Sequence, residues 1–318
     1  MRILVTGARG LLGSEFVHAA AARGIGCVPL AREDVDVTDA EAVRRVIGVA
    51  ARAAEATEPR TGTVPTEAHP APVWVVHCAA YTAVDRAESE ADEARRVNRD
   101  GAGNVARAAA VAGARFVYIS TDYVYDGDRV RPWLPTDPVA PRSVYARSKL
   151  EGERAVEEAY VMGEGPGAGP ADVVSGADAP LIVRTGWLYG SGGRNFVRAI
   201  LDRAECGEGL RVVSDQRGRP TWARNVAEVV LDLAERGMAG VWHVADGGDA
   251  TWLEFAREAL RIRGLEVDIE GVSTRAWGAA APRPGYSVLD LTATERVLGR
   301  SMMTWQEALG RFLRERPS

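Results

Sequence analysis

Short apolar runs alternate with helix-like stretches through the first half of the chain. Arg2–Thr6 is an apolar run closed by Gly7, and Leu11–Arg23 carries helical spacing. Gly26–Leu30 predicts a second strand, and Thr38 with Asp39 stands where it can cap a helix over Ala40–Ala56. Val73–His77 predicts a third strand, followed by a helical stretch over Glu90–Ala112. Phe116–Ser120 reads as a fourth strand, Ser143–Tyr160 as a helix and Leu181–Arg184 as a fifth strand. Strands alternating with helices predict parallel βαβ units wound on both faces of one sheet, an α/β fold.

Two segments break this rhythm. Glu58–Pro72, rich in Pro, Thr and Glu, and Gly163–Pro180, rich in Gly, Ala and Pro, read as surface insertions without a packed core. Past Tyr189 the alternation weakens, and Gly190–Gly193, Arg217–Pro220 and Ala279–Gly285 are rich in Gly or Pro. The expectation is a larger domain over residues 1–188 and a smaller, loop-rich lobe over 189–318, with some segments of the lobe returning to the first domain. Ligand clefts favour such junctions.

Charge and composition narrow the function. The 318 residues carry 39 Lys+Arg against 44 Asp+Glu, a net charge of −5. A nucleic-acid partner is not expected, because phosphate binding requires a basic surface. No apolar run approaches the ~20 residues that cross a bilayer, so no membrane partner is expected. The run from Met1 has no signal-peptide pattern. Cys27, Cys78 and Cys206 are odd in number and far apart, which argues against a disulfide framework or a paired-cysteine metal site. These features lead to the expectation of a reducing, cytoplasmic setting.

Gly7-Ala-Arg-Gly10-Leu-Leu-Gly13 follows the first strand and opens the first helix. In that context the three glycines suit a tight turn, a close approach to a pyrophosphate, and packing of helix on sheet. The helix N-terminus then favours the anion. The turn predicts dinucleotide binding in a Rossmann-type doubly wound sheet; a glycine-rich turn without ligand is the alternative. Arg9, Leu11 and Leu12 belong to the same cofactor-binding turn. The second strand ends Leu30-Ala31-Arg32, without the acid that accepts the ribose 2′-hydroxyl of NAD. Arg32 suits a 2′-phosphate, so NADPH is expected, with NADH the alternative and a solvated Arg32 the plainer reading. Asp36 and Val37 follow and are expected to line the adenine.

Of the 39 basic residues only Lys149 is lysine. It ends Tyr145-Ala-Arg-Ser-Lys149, and residues four apart share a helix face. An ammonium beside a phenol favours the phenolate and lowers its pKa toward the range useful for general acid–base catalysis. Thr121, in Ser120-Thr-Asp122 at the end of the fourth strand, is expected to polarise a substrate carbonyl. Ser120 is the competitor and a structural turn the other reading.

Together these residues resemble the extended short-chain dehydrogenase/reductase family and, within it, the dTDP-4-dehydrorhamnose reductases. The matching segments are Cys78-Ala-Ala-Tyr-Thr-Ala-Val-Asp-Arg-Ala-Glu88, Ser120-Thr-Asp-Tyr-Val-Tyr-Asp-Gly127, Tyr145-Ala-Arg-Ser-Lys-Leu-Glu-Gly152, Arg184-Thr-Gly-Trp-Leu-Tyr-Gly190, Asp215-Gln-Arg-Gly-Arg-Pro-Thr221 and Arg283-Pro-Gly-Tyr-Ser-Val-Leu-Asp290. The resemblance implies reduction of the C4 keto group of a dTDP-sugar, dTDP-4-dehydro-β-L-rhamnose, by hydride from the nicotinamide. It makes Tyr145 the proton donor and Lys149 a ribose ligand. Thr121 and Asp122 then contact the sugar, with Trp187 against it or in the core. Ala79, Ala80, Tyr81 and Thr82 follow the third strand and contact the cofactor, while Thr82, Val84 and Tyr123 lie near the substrate. Asn195, Gln216 and Arg283 complete the implied sugar site. Some members are homodimers bridged by magnesium through glutamates. Glu15 matches one such position and otherwise reads as a first-turn helix acid; no metal site is predicted, and a homodimer stays open. The alternatives are a 4-ketoreductase for another dTDP-4-keto-6-deoxyhexose and a non-catalytic NADP-binding regulatory subunit.

Overall fold

The computed structural model describes residues 1–56, 72–161 and 179–315. The two insertions expected at Glu58–Pro72 and Gly163–Pro180 fall, except for their last residues, outside the described part. Five strands appear where the hydrophobic runs place them: β1 Arg2–Thr6, β2 Gly26–Leu30, β3 Val73–His77, β4 Arg115–Thr121 and β5 Leu181–Thr185. All residues of β3 and β5 are buried, as strands covered on both faces must be. A sixth strand, Gly240–His243, comes from the later half of the chain and pairs with β5. The sheet order is Gly240–His243, β5, β4, β3, β1, β2, and every pairing is parallel.

Helices cover both faces. On one, Leu11–Ala22 packs against Ala223–Glu235 around Phe16, Leu12 and Val226. On the other, Ala40–Ala56, Ala102–Val111 and Val144–Val161 enclose Ile47, Phe116 and Tyr118. A third cluster, built from Tyr189, Trp222, Phe255 and Phe312, joins Phe196–Glu205, Trp252–Arg263 and Trp305–Glu315. The chain runs outward in opposite directions from β1, to β2 on one side and β3 on the other. Open α/β sheets hold ligands outside the carboxyl ends of strands at such a reversal. No described helix is long and apolar enough to cross a membrane.

Two expectations need correction. The helix expected over Glu90–Ala112 is divided into Ala91–Arg95, a widened π turn over Arg96–Gly101, and Ala102–Val111. The widened turn delivers Asn98 into the interior. There its Oδ1 accepts from the Tyr81 N–H at 2.8 Å, and its Nδ2 donates to the Tyr81 carbonyl and to Ser148 Oγ. Glu15 lies in the second turn of its helix and not the first, so the helix dipole does not explain it. It is 1% exposed and pairs with Arg224, which also binds Glu315.

Candidate active site

The glycine turn closes tightly onto the start of its helix and onto the loop after β3. Gly7 has a φ of 67°, and a Cβ there would come within 2.7 Å of the Ala79 nitrogen. A Cβ on Gly13 would stand 2.2 Å from the Gly7 carbonyl oxygen, so only hydrogen fits. Gly10 caps the helix without a side-chain bond, which leaves the first N–H groups free to face an anion.

An outer hollow of about 460 Å³ lies beside this turn, lined by Gly7, Arg32, Asp36, Val37, Ala79, Ala80 and Tyr81, with Thr38, Arg86 and Arg96 among its other walls. Asp36 accepts from the Thr38 N–H and hydroxyl, and these bonds hold its carboxyl below the usual range. Arg86 and Arg96 are paired with Glu90 and Glu93. Arg9 pairs with Glu33 and lines neither this hollow nor the catalytic cleft. Among the described residues Arg32 has no ion-pair partner, and it is exposed to the hollow. The tight glycine cradle and this unpaired guanidinium fit a dinucleotide carrying a 2′-phosphate.

The hollow meets an inner cleft of about 430 Å³ at Ala80, which lines both. Leu11, Leu12, Thr82, Val84, Thr121, Asp122, Tyr123, Tyr145, Lys149 and Trp187 all line the cleft. It also takes in residues that the sequence did not single out, notably Cys78, Arg194 and Trp252. Thr121 is the last residue of β4, so its side chain meets the helix that bears Tyr145. Ser143 caps that helix by accepting from the Ala146 N–H at 3.1 Å. Glu88 accepts from the Val144 N–H at 2.8 Å.

Of the two candidate hydroxyls, Thr121 stands beside Tyr145 and donates to Asp122 Oδ1 at 3.1 Å. Ser120 instead donates to Glu153, which forms a buried two-pronged pair with Arg184 at 2.7 and 3.0 Å. Burial drives the Tyr145 hydroxyl up to about 12, against the nearby Thr121 hydroxyl, which lowers it. Burial also draws Lys149 down to about 7, while Glu153 opposes the shift. Lys149 Nζ lies 4.1 Å from the Tyr118 ring centre. The expected lowering of the Tyr145 pKa by Lys149 is not what governs it: desolvation disfavours both charged forms, and the group that lowers Tyr145 is Thr121. Asp122 is raised to about 7, chiefly by burial, against the lowering by the nearby Ser287 and by Thr121, which donates to it at 3.1 Å.

Trp187 has a φ of 53°, unique among the described non-glycine residues. Its ring lies flat on Trp252, centroids 3.5 Å apart and planes 2° off parallel. Trp187, expected against the sugar or in the core, lines the cleft and is 8% exposed. Three expected sugar ligands do not reach the lining. Asn195 is a helix N-cap, accepting from the Arg198 N–H and donating to the Gly190 carbonyl. Gln216 sits behind the cleft and accepts from Trp252 Nε1 at 3.2 Å. Arg283 is engaged by Asp85. Helical or loop position in the sequence does not distinguish a capping amide from one that faces a ligand. Asn98 and Trp252 carried no local signal, because each acts through a contact with a distant element.

Comparison with known proteins agrees with this architecture. The family model for the RmlD substrate binding domain matches residues 1–317. The spore coat polysaccharide biosynthesis protein SpsK of Bacillus subtilis (strain 168) is 36% identical over 317 residues, covering 100% of this chain and 98% of that protein. A dTDP-4-dehydrorhamnose reductase of Streptomyces griseus is 35% identical over 314 residues, covering 97% and 91%. The crystal structure of dTDP-4-dehydrorhamnose reductase from Bacillus anthracis str. Ames in complex with NADP superposes with a TM-score of 0.84 at 33% identity, covering 99% of each chain. With the glycine cradle, the Thr121–Tyr145–Lys149 cleft and full-length similarity all in agreement, the chain belongs to the RmlD substrate binding domain family, that of the dTDP-4-dehydrorhamnose reductases.

Proposed function

We propose that the chain binds NADPH along the two connected hollows and reduces the C4 keto group of dTDP-4-dehydro-β-L-rhamnose to the alcohol. The observation that carries this reading is that Thr121, Tyr145 and Lys149 line one inner cleft, with Thr121 beside a Tyr145 hydroxyl that burial keeps protonated. A reductase needs an acid that still has its proton when substrate arrives, and a hydroxyl raised to about 12 keeps it.

The glycine turn and Arg32 hold the pyrophosphate and 2′-phosphate of the cofactor, with Asp36 and Val37 beside the adenine. When bound, the reduced nicotinamide supplies hydride to C4. Thr121, whose hydroxyl donates to Asp122 in the ligand-free protein, would turn that proton to O4 and stabilise the charge that develops there. Tyr145 delivers its proton to the same oxygen. Lys149, at the base of the cleft, binds the cofactor ribose. Asp122, Tyr123 and Val84 bound the sugar, and the Trp187 edge closes its far side.

The test is oxidation of NADPH on addition of the dTDP-4-keto sugar, with NMR of the product at C4. Tyr145→Phe is expected to lower kcat by ~10²–10⁴ and to leave NADPH affinity unchanged. Wild-type turnover by the variant would remove Tyr145 from the mechanism. A product with the opposite C4 configuration would assign the chain a different sugar.

A further inference from the structure

Thr82-Ala-Val-Asp85 and Arg283-Pro-Gly-Tyr286 lie far apart in the chain, and the chemistry above makes no use of their charged residues. The fold joins them. Arg283 Nη1 and Nη2 donate to the two carboxylate oxygens of Asp85 at 2.9 and 2.8 Å. The Ala281 N–H adds a third bond to Asp85, at 3.0 Å. Burial raises the Tyr123 hydroxyl, the Arg283 guanidinium beside it opposes that shift, and the Tyr123 ring stands edge-on to Tyr145, 6.4 Å between centres. Further along the same segment, the Ser287 hydroxyl lies beside Asp122 and opposes the effect of burial on its carboxyl. Gly127, with a φ of 82°, gives Pro284 room; a Cβ there would be 2.3 Å from the Pro284 Cβ. The segment is thus bonded to Asp85, the residue that follows Val84, and stands beside Tyr123 and Asp122; Val84, Tyr123 and Asp122 all line the cleft.

We propose that Asp85 and Arg283 are positioning residues, a clasp that holds residues 281–287 across the mouth of the sugar cleft and sets Tyr123 against the substrate. This rests on the function proposed above. Arg283 then acts on the sugar through Asp85 and Tyr123 and is not itself a sugar ligand. Asp85 is half exposed, and ion pairs so placed add little to global stability, so loss of the clasp registers in substrate binding and leaves folding intact.

Asp85→Asn, Arg283→Gln and the double variant test this by steady-state kinetics and by hydrogen exchange of the ligand-free protein. Each single change is expected to raise the KM for the dTDP-4-keto sugar about tenfold, with the KM for NADPH unchanged and kcat within about threefold. The double variant is expected to be no worse than the worse single one, because the partners act as one unit. Amides of residues 281–287 are expected to exchange faster in Asp85→Asn. An Arg283→Gln defect far larger than that of Asp85→Asn, or effects that multiply, would make Arg283 a direct ligand and overturn the clasp. Unchanged exchange over 281–287 would also overturn it. Absence of turnover in the wild type would sink the proposed function alone, since the exchange experiment needs no substrate.

Discussion

Lys149 lies at the floor of the cleft with Glu153 one turn further along its helix and the Tyr118 ring under its ammonium. Burial brings it to about 7 from an ordinary 10.5, and it brings Tyr145 to about 12 from 10. The two shifts separate the roles: Tyr145 keeps its proton across the working range, and Lys149 changes charge near neutrality. The sign follows. Below about 7 Lys149 is charged and attracts an anionic dinucleotide; as pH rises through that value the charge is lost. The kcat/KM for NADPH, which reports the free enzyme, is expected to fall on the alkaline side with an apparent pKa near 7. Lys149→Met should show a low rate without that limb. A limb near the ordinary 10.5 would mean that burial does not govern this amine. The importance of Lys149 was legible in the sequence from its being the chain's single lysine. The balance between burial and charge pairing was not, because desolvation depends on what the rest of the fold packs over the helix.

Elements were legible to the degree that their pattern was local. The run Val73–His77 is apolar at nearly every position, and β3 occupies those five residues. The π turn at Arg96–Gly101 is not visible in this way, since one extra residue per turn leaves the apolar spacing of its neighbours almost unchanged. The helix Trp252–Arg263 shows both cases. Its start is marked by the Thr251–Glu254 capping box, but nothing near Trp252 in the chain indicates that it stacks on Trp187. Gln216 fixes the Trp252 indole from behind and itself donates to Thr274. Trp252→Ala removes the support under Trp187 and is expected to raise the KM for the dTDP-4-keto sugar about tenfold, with little change for NADPH. Equal losses for both ligands would show a general loosening of the fold.

At the scale of the molecule, the parallel doubly wound sheet could be inferred from alternation, while the reversal at β1 came only with the strand order, and the outer hollow forms beside it. The place of Gly240–His243 beside β5 could not, because a short strand late in the chain can close either edge of a sheet. What the assembled fold adds is a shared wall. Ala80 lines both hollows, and a ligand spanning them passes its side chain. Ala80→Leu would add bulk at that point. It is expected to weaken NADPH binding about tenfold or more while adenosine 2′,5′-bisphosphate, which needs only the outer chamber, still binds as in the wild type. If both ligands weaken together, the two chambers are not separable. A dinucleotide that spans both hollows would lie against Ala80, so the size of that one side chain would bear on where its reactive ring comes to rest.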